Sequence, residues 1–260
     1  MKLPVASNRD LGQHFLVDEN ILGVAGRLAD LGPEDVVLEV GAGLGVLTAY
    51  LAERVRLVHA VEIDRGLESH LRDRLGGREN VELVFGDALT IPLEALDPPP
   101  NKLVANLPYQ IATPLVAESL DGLPTVDFWC VMVQREVADR FFGLPRTKSY
   151  GAVSVLLQLT AERAGFHPVA RMVFRPPPNV DSALVAFRRT REWGPEFGHL
   201  KEVVQGAFAH RRKTLVNSLE LARGARAEAE AAVAELGLPA SVRAEALAPE
   251  QFLELAELLP

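Results

Sequence analysis

Apolar residues in the first two-thirds of the chain fall into short, dense runs separated by longer mixed stretches. Val36-Val-Leu-Glu-Val40, Leu57-Val-His-Ala-Val-Glu62, Val81-Glu-Leu-Val-Phe85, Asn101-Lys-Leu-Val-Ala105 and Phe128-Trp-Cys-Val-Met-Val133 are rich in β-branched or aromatic residues. They read as strands of a buried, parallel sheet. Residues 19–31, 46–52, 135–142 and 152–158 read as helices, 162–169 as a sixth strand and 183–188 as the last. The alternation of strand and helix predicts an α/β, Rossmann-like doubly wound fold with a seven-stranded, mostly parallel sheet. Trp193-Gly-Pro195 marks a shift, and beyond it the pattern stays helical, with breaks at Pro239 and Pro249. Two domains are therefore expected: 1–190, opened by a leader of mixed character, and a small all-α domain over 191–260.

Three glycines follow the first strand at alternate positions, Gly41, Gly43 and Gly45. Glycine tolerates positive φ and lacks the Cβ that would hold a ligand off the backbone. Strand, glycine turn and helix make the first βα unit of such a sheet, whose ligands sit at the carboxyl ends of the strands. The spacing is G-x-G-x-G, not the G-x-G-x-x-G of dinucleotide binders, which disfavours a nicotinamide dehydrogenase. Glu62 ends the second strand about twenty residues past the glycines, where a carboxylate accepts hydrogen bonds from ribose hydroxyls. Asp87 follows the third strand and is placed to accept from an adenine amino group. Singly, each reads equally well as an acid on a solvated turn; the glycine loop ahead of both favours a bound nucleoside.

Asn106-Leu-Pro-Tyr109 follows the fourth strand, at the same end of the sheet as the glycine loop. Pro108 keeps Leu107 out of the α region and removes a backbone donor, so the turn is stiff and aims carbonyl oxygens outward. Asn106 adds a side-chain acceptor, and Tyr109 an aromatic face on which a base can stack. An aromatic amine is a poor nucleophile because its lone pair is delocalised into the ring. Two acceptors on its N–H groups favour a pyramidal nitrogen whose lone pair points at an incoming methyl. The two motifs together predict in-line methyl transfer from S-adenosylmethionine to the exocyclic nitrogen of an adenine, driven by positioning and electrostatics. Alkylation makes that nitrogen acidic, so no dedicated base is required.

These residues resemble the ribosomal RNA adenine N6,N6-dimethyltransferases, most of all their bacterial small-subunit (16S) branch. The likeness runs through Leu11-Gly-Gln-His-Phe-Leu16, residues 39–45, Asn106 to Tyr109, Gln134-Arg-Glu-Val-Ala138, Phe174-Arg-Pro-Pro-Pro-Asn-Val-Asp-Ser182 and Phe208-Ala-His-Arg-Arg-Lys213, and so spans nearly the whole chain. It implies the methyltransferase form of the Rossmann-like fold, with S-adenosylmethionine held at His14, Leu16, Gly41, Glu62, Asp87 and Asn106. It implies a catalytic set of Asn106, Leu107, Tyr109 and Phe174, the target adenine lying between the Tyr109 and Phe174 positions. The family commonly has Asn where this chain has His14, so the contact there runs through the backbone or through the imidazole. The implied substrate is a pair of adjacent adenosines in a hairpin near the 3′ end of 16S rRNA, each dimethylated during small-subunit maturation.

The formal charge of −8 over 260 residues argues against a nucleic-acid partner only if charge is evenly spread. It is not: acids collect between Glu220 and Glu257, while Arg188-Arg-Thr-Arg191, Arg171 and Arg175 are basic. Arg146 and Lys148 sit in a loop read over 144–150, and Arg211, Arg212 and Lys213 in a run that also fits a solvated helix face. These five are the candidate RNA contacts, within an immature 30S subunit on the family likeness. No metal is expected: Cys130 is the only cysteine, in an apolar strand, and no zinc spacing occurs. No run is long enough to span a membrane and residues 1–6 carry no signal-peptide core, so a cytoplasmic, monomeric protein is expected. Two other readings stay open: a large-subunit methyltransferase of the macrolide-resistance type, and a ribosome-assembly factor in which binding outweighs chemistry.

Overall fold

The computed structural model describes residue 8 and residues 11–260. Residues 1–7, 9 and 10 of the expected leader lie outside them. In chain order the elements are β1 (Phe15–Leu16), α1 (Glu19–Leu28), β2 (Val36–Val40), α2 (Val46–Ala52), β3 (Leu57–Glu62), α3 (Glu68–Leu75), β4 (Val81–Phe85), β5 (Lys102–Asn106), α4 (Ala112–Gly122), β6 (Phe128–Gln134), α5 (Arg135–Phe141), α6 (Ala152–Thr160), β7 (Ala161–Val169), β8 (Phe174–Arg175), β9 (Ser182–Arg189), α7 (Glu196–Ala209), α8 (Leu215–Arg223), α9 (Arg226–Glu235) and α10 (Pro249–Leu258). Short 3-10 turns lie between some of them.

Seven strands form one sheet in the order β4-β3-β2-β5-β6-β9-β7, as the alternation of runs predicts. The pairs among β2 to β6 are parallel and β9 runs antiparallel to β6. Every residue of β2 and β3 is buried, which explains their mostly apolar character apart from Glu39, His59 and Glu62, whereas the edge strand β4 is only half-buried and carries Glu82. The chain steps outward from β2 through β3 to β4, then returns to β5 on the other side of β2. Strand order reverses between β2 and β5, where the following loops part and leave a crevice. The glycine loop and the Asn106 turn are those two loops.

Helix α1 stops at Leu28, short of the expected residue 31, because Ala29 caps it and Asp30 takes φ 48 in the left-handed region. Cys130 is fully buried in β6, and burial pushes its thiol up to about 12, so it is inert at neutral pH. Among the described residues no helix is long and apolar enough to cross a membrane.

The chain divides into two compact units, Met1–Ala138 with Arg163–Arg189, and Asp139–Glu162 with Thr190–Pro260. The sequence placed residues 139–162 with the sheet; they group with the tail helices instead. The reason is α6, apolar on nearly every side, which packs on α7 and α10. Tyr150, just before it, is fully buried and donates to the Leu247 carbonyl at 2.9 Å. Within this unit α7 and α8 are joined by the Ser218 hydroxyl, which donates to the Gly206 carbonyl at 2.8 Å. His210 to Lys213 form a turn rather than a helix face: the Lys213 N–H closes on the His210 carbonyl and Thr214 then caps α8.

Candidate active site

The crevice at the β2/β5 switch point is built from backbone first. Gly41 has φ 83, and a Cβ there would stand 3.1 Å from Cδ of Pro108. Glycine at this position therefore permits both the turn and the close approach of the second motif. The N–H groups of Gly41 and Ala42 both donate to the Val61 carbonyl, at 2.8 and 3.2 Å, which fixes the loop to the end of β3. The Gly43 N–H donates to Glu62 Oε2 at 2.7 Å, and the Asp64 N–H to Glu62 Oε1 at 2.9 Å. Glu62 is thus locked in place at the pocket wall, 4% exposed. Burial raises its carboxyl above the usual range; the two backbone donors pull it back, and the Asp64 charge adds to the rise. On the next strand end Asp87 accepts from the Leu89 N–H through Oδ1 and also lines the pocket.

The second motif closes the other side. The Leu107 N–H donates to the Met132 carbonyl at 3.0 Å, and the Pro108 carbonyl accepts from Ile111 and Ala112 at the start of α4. Pro108 is therefore committed to the helix. Among the described residues Asn106 Oδ1 and the Leu107 carbonyl have no donor, so both are available as acceptors. Asn106 Nδ2 donates to the His14 carbonyl at 3.3 Å, which orients the amide. The Tyr109 hydroxyl meets Ser182 Oγ at 2.9 Å, and burial raises its phenol while that bond lowers it.

A strap over residues 11–16 lies across both sides. The Gln13 amide donates to Asp64 Oδ2 at 2.7 Å, next to Glu62. The His14 ring lies 5.6 Å from the Tyr109 ring, tilted by 32°, and its Nδ1 is 2.8 Å from the Pro176 carbonyl, so Nδ1 carries the proton.

His14, Leu16, Gly41, Glu62, Asp87, Asn106, Leu107 and Tyr109 thus line one pocket. Phe174, expected against the target base, is not among the lining residues. It is fully buried in β8, opposite Leu16 of β1, in the core beneath the strap. The Arg175 guanidinium, bonded at 3.0 Å to the Met172 and Phe174 carbonyls, braces that backbone. Sequence reasoning missed Ser182, Gln13 and Ile63. The first two lay inside quoted family segments, and Ile63 is a large apolar residue left 47% exposed beside Glu62 at the pocket.

The five basic candidates sit in the second unit, all exposed. Arg211 pairs with Glu245 at 3.2 Å and donates to the Thr147 carbonyl, which ties the 210–213 turn to the loop carrying Arg146 and Lys148. Arg146 itself has φ 66 and its N–H donates to the Glu245 carbonyl at 2.7 Å. Two segments far apart in sequence therefore share one surface.

The pocket residues fit S-adenosylmethionine. Glu62 offers acceptors for ribose hydroxyls and Asp87 for an adenine amino group, while Gly41 and Gly43 leave open backbone. Among the described residues the lining holds three carboxyl groups and no lysine or arginine, which suits a cationic ligand. One of the three, Glu39, keeps an oxygen without a partner. Among the described residues no cluster could hold a metal ion.

Comparison with known proteins agrees. A family model for ribosomal RNA adenine dimethylase matches residues 5–260. A protein of Rubrobacter xylanophilus named ribosomal RNA small subunit methyltransferase A is 47% identical over 94% of this chain and 92% of its own length. One of the same name from Kineococcus radiotolerans is 42% identical over 100% of this chain and 88% of its own. Among solved structures, the 23S rRNA methyltransferase ErmE superposes with a TM-score of 0.64 at 33% identity, covering 94% of this chain and 99% of that one. A dimethyladenosine transferase from Plasmodium falciparum shares the fold, with a TM-score of 0.71 at 24% identity over 93% of this chain and 96% of its own. The chain belongs to the ribosomal RNA adenine dimethylase family.

Proposed function

We propose that this protein transfers methyl groups from S-adenosylmethionine to N6 of two adjacent adenosines in a hairpin near the 3′ end of 16S rRNA, giving N6,N6-dimethyladenosine. The observation that carries this reading is the meeting of the two motifs at one switch point, with Pro108 packed on Gly41. The bound donor would supply an electrophilic methyl. The chain's own residues do the rest. Asn106 Oδ1 and the Leu107 carbonyl accept the two N–H bonds of the target amine and turn its lone pair towards the donor pocket. Tyr109 offers a face for the base. The proton leaves the alkylated nitrogen without a side-chain base, since alkylation itself acidifies it. Positioning and fixed dipoles account for the rate.

The choice of subunit rests on the small-subunit name of the 47% and 42% identical relatives, against 33% for the large-subunit enzyme. The substrate is then 16S rRNA within an immature 30S particle, met by a monomer in the cytoplasm. In this reading Met1–Ala138 with Arg163–Arg189 carry donor and catalysis, and Asp139–Glu162 with Thr190–Pro260, which includes the 144–150 loop, approach the RNA. Arg146, Lys148, Arg211, Arg212 and Lys213 neutralise phosphates on this surface, so RNA binding weakens as salt rises. The test is incubation with labelled donor and small subunits lacking the modification, followed by mapping of the modified nucleotides. Two dimethylated adenosines in 16S rRNA are expected. Product confined to large-subunit RNA would overturn the assignment, and tight binding without transfer would favour an assembly factor.

A further inference from the structure

The donor pocket contains a carboxyl group to which the ribose and adenine contacts give no role. Glu39 lies near the end of β2, 1% exposed, and lines the crevice. Among the described residues its Oε2 has no hydrogen-bond partner, and Thr48 Oγ1 has none of good geometry either. An ionised carboxylate buried without donors is costly, and such a group keeps its proton instead. Burial is the main reason the Glu39 carboxyl is raised to about 8; the neighbouring Thr48 hydroxyl eases it and the Glu62 charge pushes it higher.

The charged and polar groups that share the pocket with Glu39, or act on it, bear on what would ionise it. From β3 comes Glu62, with Asp64 behind it, and from the end of β4 Asp87. The strap brings His14, α2 the Thr48 hydroxyl and β5 the neutral amide of Asn106. Among the described residues no lysine or arginine lines the pocket, so a cationic ligand would bring a positive charge that these residues do not supply. S-adenosylmethionine brings a sulfonium and an ammonium against a single carboxylate. Its demethylated product, S-adenosylhomocysteine, has lost the sulfonium charge and is neutral overall.

We propose that Glu39 is a proton-coupled charge sensor for the donor, protonated in the empty pocket and ionised when S-adenosylmethionine binds, so that the enzyme favours the cationic donor over its neutral product. The chemistry is a single ionisation: the Glu39 O–H bond breaks, the carboxylate stays facing the ligand, and the proton passes to solvent. After transfer the sulfonium charge is gone, Glu39 takes a proton back, and the product is held less tightly. Glu39 is a positioning and selectivity residue in this scheme and touches no reacting atom. The inference rests on S-adenosylmethionine being the donor.

The test is calorimetric titration of the full chain with S-adenosylmethionine and with S-adenosylhomocysteine between about pH 6.0 and about pH 7.5, below the titration of the ligands' own ammonium. Each titration is repeated in buffers of different ionisation enthalpy, which counts the protons released. The expected result is about one proton released per donor bound and almost none per product. Linkage then requires donor affinity to rise about tenfold per pH unit, and the product's to stay nearly flat. Glu39→Gln keeps the shape without the charge, and should abolish both the proton release and the pH slope. An analogue with a protonated amine in place of the sulfonium should release a proton from the wild-type chain, which keeps the test independent of the variant's folding. Equal proton release for donor and product, or an unchanged slope in a folded Glu39→Gln chain, overturns the sensor and leaves the donor assignment standing. Failure of both ligands to bind overturns the donor assignment as well.

Discussion

The bond between Tyr109 and Ser182 offers the most direct check on how the target base is held. Ser182 is 1% exposed on β9, and its Oγ meets the Tyr109 hydroxyl at 2.9 Å. It lies outside the donor pocket lining, whereas Tyr109 lies within it. Ser182→Ala therefore frees the phenol end of the ring and leaves the donor's surroundings intact. An intramolecular hydrogen bond contributes a net ~0.5–1.5 kcal/mol, and the half-buried phenol can recruit water, which limits any further penalty. If ring orientation sets base stacking, that energy should appear in kcat/KM for RNA as a loss of about three- to tenfold. Tyr109→Phe removes the same bond from the other end and should cost a similar factor. The double variant should cost no more than either single one, a coupling of about 1 kcal/mol. The assay is single-turnover methylation of unmodified small subunits by the four proteins, with donor affinity measured in parallel by calorimetry. Additive losses, or a fall in donor affinity with normal turnover, would refute the reasoning and move Tyr109 to the donor side.

If Asn106 is one of two acceptors on the target amine, as proposed, Asn106→Ala should lower the transfer rate on the order of 100-fold, with 30S binding by filter assay largely kept. Gly41→Ala forces a Cβ into a left-handed residue 3.1 Å from Pro108 Cδ; a cost of roughly 1–2 kcal/mol for the backbone alone should show as a lower denaturation midpoint together with weaker donor binding. Arg212→Ala with Lys213→Ala should flatten the salt dependence of RNA affinity without changing donor affinity, and an unchanged slope would remove this turn from the interface. For the empty chain the raised Glu39 carboxyl sets a sign. The folded state keeps a proton that the unfolded state loses from about pH 4.5 upward, so this group's contribution to stability falls as pH rises towards about 8. Urea denaturation at pH 5 and pH 8 should show wild-type stability falling relative to Glu39→Gln; the opposite trend would mean that Glu39 is ionised in the fold.

The sheet was legible because its central strands are buried on both faces, which leaves dense apolar runs that few other structures produce. Gly41 and Asn106 were legible because the glycine spacing and the proline turn constrain the backbone itself. What escaped was set by contacts between distant segments. Phe174 sits in a rigid Pro-rich segment that suggests an exposed turn, yet pairing of β8 with β1 turns its ring into the core. Helix α6 carries an apolar surface that any core could bury, and only the fold shows that α7 and α10 receive it. Glu39 was visible as part of a motif, but its lack of a partner is a property of the packed pocket. Ser182 acts through Tyr109 across a separation of 73 residues, and no local pattern marks that pairing.

The strap makes donor and acceptor sites parts of one device. Gln13 is bonded to Asp64, whose N–H holds Glu62 on the donor side, while the His14 carbonyl receives the Asn106 amide and its ring lies against Tyr109 on the acceptor side. A ligand that shifts the strap from either side alters contacts on the other, so the two affinities are coupled, and by linkage the coupling is the same in both directions. Pro108 against Gly41 restricts the alternatives further, because one loop cannot retreat without unpacking the other. In the proposed reading the donor's positive charge and the target amine's need for two acceptors are met by separate groups, carboxyls on one wall and neutral oxygens on the other. A carboxylate in place of Asn106 would hold the amine as well, but would add a fourth acid to a pocket in which Glu39 already has no donor for one oxygen. The neutral amide is therefore the acceptor that this donor pocket allows.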